Sequence, residues 1–312
     1  MGVKFASKER AKKAKSKSGQ KGDKSFSRKL LIPVLSFFGF FNIVPTLWML
    51  GLSFNDYKLI SSNAPRYVGL SNYQSFLADQ QVAHAVNRTF VFLLFAIIFQ
   101  TTLGILIGAL FWRNDKLRGR RLALTLLFTP MVVTPVASAL FWKLILDPNF
   151  GVGNYFLQIF GVHKIDVLTS STLAFPTLLV VDTWMWTPFM ALMTLAALGS
   201  VPKAELEAAS IDRLPLFTVI KTVVWPHAKF ILMLGILLRS IDAFKTMDLS
   251  LIMTDGGPGD KTELIALSLY RYAFKSFNLG YSSAISVFLL FIAIALTSIY
   301  LYVLNLKTRK ET

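Results

Sequence analysis

The run TFVFLLFAIIFQTTLGILIGALFW, residues Thr89–Trp112, decides the fold class. A bilayer core of about 30 Å is crossed by roughly 20 apolar residues in a helix. This run is long enough, and it is one of six such stretches. The others are Leu30–Phe54, Leu122–Leu146, Leu173–Leu198, Phe230–Met253 and Tyr281–Leu306. The chain of 312 residues is 54% hydrophobic, with a mean hydropathy of +0.54 and 27 Phe spread through these runs, so its main solvent is lipid. The expected fold is an all-α integral membrane protein of about six transmembrane helices. The first run is too long for the apolar part of a signal peptide and no small-residue cleavage site follows it, so it stays as a span.

Charge asymmetry sets the expected orientation. Residues 1–29 hold 11 Lys/Arg against Glu9 and Asp23, and the run from Lys12 to Lys17 has almost no apolar content. A basic tail of this kind is expected to be disordered and to rest on anionic lipid head groups. RNA binding is the rival reading, and no interleaved aromatics support it. With that tail inside, the cytoplasmic pieces are 1–29, Arg113–Arg121, Gly199–Lys229 and Lys307–Thr312, which together carry 23 of the 33 Lys/Arg. The positive-inside rule then puts both termini in the cytoplasm. The domain plan is a tail over 1–29, a transmembrane domain over 30–306 with a cytoplasmic loop at about 199–229, and a second short tail over 307–312.

Cysteine is absent, which excludes disulfides, thiolate metal sites and cysteine nucleophiles. His84, His163 and His227 lack the spacing of metal ligands, and no Ser/His/Asp set or carboxylate pair is implied by spacing, so no catalytic and no metal residues are assigned. Pro33 and Pro45 in the first run, Pro130 and Pro135 in the third and Pro188 in the fourth predict kinks. Gly104 and Gly108 form a small-xxx-small pair, read as packing.

The loop at 199–229 reads VPKAELEAASIDRLP over 201–215 and continues to Trp225-Pro226-His227. Pro202 suits a helix start, Glu205 and Glu207 complement the positive end of its dipole, and Pro215 is expected to break it. Glu207-Ala208-Ala209 followed by Asp212 and then Pro226 resembles the EAA loop of ABC importer permeases. In that family the loop forms a coupling helix seated in a cleft of the ATPase subunit, a role the resemblance carries to Glu207, Ala208, Ala209, Asp212, Arg213 and Pro226. The family's glycine falls on Arg213. If φ is positive there, Arg costs up to about 1 kcal/mol relative to Gly.

Other segments are similar to the carbohydrate branch of the same family, the maltose and glycerol-3-phosphate type. They are Asp147-Pro148 through Gly151 and Asn154, the run from Asp182 to Phe189, the run from Arg239 to Lys245, and Thr254 through Gly259 with Thr262. The resemblance covers about residues 30–306. It implies a type I importer transmembrane fold and residence in the bacterial inner membrane. It also implies a second permease subunit, two ATPase subunits and an extracytoplasmic solute-binding protein. ATP and Mg would sit on the ATPase, with no cofactor and no nucleic acid on this chain.

Gly256 to Thr262, GGPGDKT, superficially suggests a phosphate-binding loop. The required glycine-to-lysine spacing is missing and Asp260 would repel phosphate, so it reads as a turn leading into a re-entrant or interfacial stretch around Glu263–Asn278.

Ionisable groups inside spans are costly and mark a path or a pairing. Arg239, Asp242, Ala243 and Thr246 share one face of the fifth run, and Asp182, Met185, Trp186 and Phe189 share one face of the fourth. Two readings stand. The faces line a solute path, with carboxylates and a guanidinium for hydroxyl groups and Trp186 for stacking on a sugar ring. Alternatively, Arg239 pairs with Asp242 and Lys245 with Asp248 as structural glue. The expected function is half of the path of an ATP-driven sugar importer. Import of a sugar phosphate or other anionic solute is one alternative, and an ATPase-independent secondary transporter is another.

Overall fold

The computed structural model of the chain describes residues 31–61, 64–113, 118–161 and 164–308. The basic tail 1–29, residues 114–117 of the first expected cytoplasmic loop, His163 and residues 309–312 lie outside the described residues. Among those described, five helical segments are long and apolar enough to cross a membrane, and a bent pair makes a sixth. They are α1 (Leu31–Ser53), α3 (Gln80–Arg113), α7 (Ala174–Gly199), the rod Leu216–Phe244 and α12 (Leu279–Thr308), with α4 (Arg120–Val132) and α5 (Pro135–Ile145) as the bent pair. Shorter helices α2 (Ser71–Ala78), α6 (Val152–Ile159), α8 (Lys203–Ile211) and α11 (Ile265–Tyr270) connect them. The two-residue ladder pairing Asn55–Asp56 with Arg66–Tyr67 is minor.

The centre of the bundle is α3 against α7, and glycine makes the approach possible. A Cβ on Gly104 would overlap Met190, and one on Gly108 would lie 2.6 Å from the Thr194 Cβ. In lipid, where apolar burial gives no advantage over acyl chains, such close backbone contact is what drives helices together. Phe92, Ala96, Leu178, Val181 and Met185 fill the adjoining core. Trp184 packs edge-on against Trp142, with ring centroids 5.4 Å apart.

Two expectations about helix boundaries are corrected. The third span is not a kinked helix but two helices meeting at 98°. Pro135 forces Thr134 into extended backbone (ψ 148), and the Thr134 hydroxyl then caps α5 by accepting from Ala137 N–H. The fifth span does not run Phe230–Met253. Its rod begins as α9 (Leu216–Val219), passes through a π-helical turn at Ile220–Val224 and continues as α10 (Trp225–Phe244). The wide turn lets Pro226, which has no N–H to give, enter without ending the helix. Beyond Phe244 the chain turns at Lys245 and Thr246, and Ser250–Thr254 forms a separate π-helical turn.

Of the two expectations for the stretch after Glu263, its first part follows the re-entrant one, since it is buried in the bundle. Leu264, Ile265, Leu267 and Ser268 are buried, with Ile265 in a cluster that holds Val82, Ala85, Tyr281 and Ile285. The preceding GGPG segment is a turn held by charged clamps. Arg88 donates to Asp260 and to the Glu263 carbonyl, and Arg271 donates to Glu263 (2.6 Å) and Asp255 (3.0 Å). The Arg88 hydrogen bond holds the Asp260 carboxyl below the usual carboxylate range.

Candidate functional site

Two features stand out, one inside the bundle and one on its surface. Inside, α7 and α10 bring Asp182, Arg239 and Asp242 together, and α3 adds Gln100. Arg239 is 1% exposed and uses every edge of its guanidinium. Its Nε donates to Gln100 Oε1 at 2.6 Å, Nη1 to Asp242 Oδ2 at 3.0 Å and Nη2 to Asp182 Oδ2 at 2.5 Å. Gln100 Nε2 donates to the same Asp182 oxygen at 2.8 Å. The Trp186 ring covers one guanidinium face at 4.9 Å. The other carboxylate oxygen, Asp182 Oδ1, is buried without a hydrogen-bond partner.

Beside this cluster lies a cavity of about 310 Å³. Asp182, Met185 and Trp186 from α7, Asp242 from α10, and Lys245, Thr246, Asp248 and Leu249 from the segment after it form most of its wall. Met131, Val133 and Pro135 from the break between α4 and α5 close it. An aromatic plane, open carboxylates and a hydroxyl around such a volume can hold a small polyhydroxylated molecule.

The expected residues are thus only partly gathered. Asp182, Met185, Trp186, Asp242 and Thr246 meet at the cavity. Thr246 does so from a turn rather than from the helical face assigned to it, because α10 ends at Phe244. Ala243 is fully buried and Arg239 stands behind the wall, so neither is exposed to the cavity. Phe189 packs edge-on against Trp186 with centroids 6.3 Å apart. The expected Lys245–Asp248 pair does not form; Lys245 lies 3.8 Å from Asp242 instead. Sequence reasoning missed Gln100, although a lone amide between Phe99 and Thr101 in a charge-free apolar run is itself a signal of an interhelical polar contact.

On the surface, α8 carries Glu207 and Ala208 exposed and Ala209 buried at 4%. The helix ends as a Schellman motif before Pro215 is reached. Arg213 takes φ 49, its N–H donates to the Ser210 carbonyl, and Leu214 N–H donates to the Ala209 carbonyl. The arginine at the family's glycine position therefore adopts the left-handed turn. His227 Nε2 lies 2.9 Å from Glu205 Oε2, which ties α8 to the base of α10 where Pro226 sits exposed. Ile211, Leu216 and Phe217 beside it are 81%, 70% and 76% exposed.

Comparison with known proteins agrees with this architecture. The chain is 30% identical over 274 residues to the trehalose/maltose transport system permease protein of Thermococcus litoralis, covering 88% of this chain and 92% of that one. It is 28% identical over 289 residues to the sn-glycerol-3-phosphate transport system permease protein of Yersinia pestis, covering 90% and 95%. A subunit of a bacterial alginate ABC transporter, solved with an alginate pentasaccharide-bound periplasmic protein, superposes with a TM-score of 0.76 at 18% identity over 87% of this chain and 91% of that one. Residues 100–310 match the family described as binding-protein-dependent transport system inner membrane component. The chain belongs to that family, as a multi-pass, non-catalytic permease subunit of an ABC importer.

Proposed function

We propose that this chain forms half of the translocation path for a sugar or sugar-like solute, with the cavity beside Asp182, Trp186 and Asp242 as its solute-facing wall. The observation that carries this reading is the pairing of the Trp186 plane with open carboxylate oxygens around one small volume. Aromatic faces stack on sugar rings and carboxylates accept from their hydroxyls. The relatives, trehalose/maltose and glycerol-3-phosphate permeases, support the solute class.

A second permease completes the path, two ATPase subunits supply the energy, and an extracytoplasmic binding protein delivers the solute. ATP and Mg belong to the ATPase, and this chain holds no cofactor. Helix α8, with Glu207 and Ala208 exposed on it, Asp212 and Arg213 exposed at its C-terminal turn and the apolar patch of Ile211, Leu216 and Phe217 beside it, is the docking element for the ATPase. Closure of the ATPase dimer moves α8, and the His227–Glu205 contact passes that movement to α10. In this reading both termini face the cytoplasm of a bacterial inner membrane, which the distribution of Lys and Arg supports.

The test is ATP-dependent uptake of labelled mono- and disaccharides by the assembled transporter. Asp242→Ala is expected to abolish uptake while the complex still co-purifies. Unchanged uptake and affinity in that variant would remove Asp242 from the path.

A further inference from the structure

We infer that the cavity wall is an anion filter, which admits neutral or cationic polyhydroxylated solutes and turns away sugar phosphates and sugar acids, with Asp248 as a specificity-determining residue. This rests on the cavity being the solute path.

The deep cation that would attract an anion is already committed. Arg239 gives Nε to Gln100, Nη1 to Asp242 and Nη2 to Asp182, and its face lies under Trp186. An oxyanion could reach it only by breaking a buried ion pair. Lys245 sits at the mouth with its side chain 67% exposed and lies 3.8 Å from Asp242.

Besides Lys245, the carboxylate that faces the cavity without a partner is Asp248. Asp182 is fully buried, forms part of the cavity lining and leaves Oδ1 without a partner. Asp248 lines the cavity and has no hydrogen bond or ion pair among the described residues. With Asp242 the wall and its backing hold three carboxylates against the two cations Lys245 and Arg239. An unbalanced negative charge in a cleft with apolar walls focuses a field that repels anions. A sugar hydroxyl, by contrast, can donate to Asp248 without any protein bond being given up.

The absence of cysteine allows the potential to be read directly. Thr246→Cys places a single thiol of this chain on the wall. Its labelling by a cationic and by an anionic methanethiosulfonate is followed by the mass of this chain in the assembled complex, each rate divided by that of the same reagent with free mercaptoethanol. The cationic reagent is expected to be favoured by about tenfold, and Asp248→Asn is expected to cut that preference severalfold. Preference for the anionic reagent, or a ratio indifferent to Asp248→Asn, would overturn the filter. Met131→Cys, across the cavity, serves the same purpose if Thr246→Cys does not assemble. Adding ATP and Mg to the same sample tests the path separately. Labelling rates that do not respond would refute the path reading, whatever the charge ratio.

Discussion

Arg239 and Asp182 meet at 2.5 Å with neither side chain exposed, joining α10 to α7 inside the bundle. Removing one partner strands a buried charge, which costs on the order of 3–5 kcal/mol. Arg239→Leu is therefore expected to lower the melting temperature of the detergent-solubilised complex sharply. The double variant Arg239→Leu/Asp182→Leu is expected to regain much of that loss. Equal melting of the single variant and the parent would show that the pair holds nothing together.

The α3–α7 contact depends on the absence of a side chain at Gly104 and Gly108. Gly108→Leu pushes into Thr194 and the Ala191 carbonyl, and overpacking of this kind costs about 1–3 kcal/mol or more. Thermal unfolding of Gly108→Leu beside Gly51→Leu, where a Cβ meets nothing within 4 Å, isolates the effect. The first is expected to fall and the second to stay close to the parent.

Arg213 occupies a left-handed turn that glycine adopts without strain. Arg213→Gly is expected to stabilise the end of α8 by up to about 1 kcal/mol, seen as slower amide exchange at Leu214. Glu207→Lys reverses a charge on the face proposed to dock the ATPase, and retention of that subunit in co-purification is expected to drop by about tenfold or more. Full retention would move the docking surface elsewhere.

Asp79 joins the start of α3 to the start of α12 and the turn before it. Its Oδ1 accepts from the Gln81 and Val82 N–H groups, and its Oδ2 from the Tyr272 and Tyr281 hydroxyls. Burial pushes its carboxyl up, but the hydrogen bonds from Tyr281, Val82, Tyr272 and Gln81 together outweigh it and leave the group below the usual range. Burial and the Asp79 contact raise the Tyr272 hydroxyl to about 12. A depressed carboxyl contributes stability above its unfolded value and loses it as pH falls through the folded one. Melting temperature is thus expected to decline as pH drops below about 4, and Asp79→Asn to flatten that decline.

The sixfold apolar pattern was legible because lipid demands it of each span separately. The run at 89–112 reads as a helix whatever surrounds it, and Gly104 and Gly108 already mark its contact face. The fifth span was misplaced because hydropathy cannot tell a helix from an apolar chain that turns back into the bundle. Leu249 and Met253 are as apolar as Leu232, yet they lie beyond the end of α10. The α4–α5 break was visible as Pro135, but its angle depends on how two helices pack.

By itself, the sequence determined that there are about six apolar spans, the expected orientation and the exposed helix at Lys203–Ile211. Each of these follows from local physics: the length of an apolar run, the cost of moving Lys and Arg across a membrane, and the preference of proline for a first turn. Only the tertiary structure decided which charges pair. Asp242 is three residues from both Arg239 and Lys245, and either spacing permits a pair along the helix. Asp182 is 57 residues from Arg239 and still accepts a hydrogen bond from its Nη2. A buried guanidinium is satisfied by whichever acceptors the packed helices bring to it, and here those are Gln100, Asp182 and Asp242.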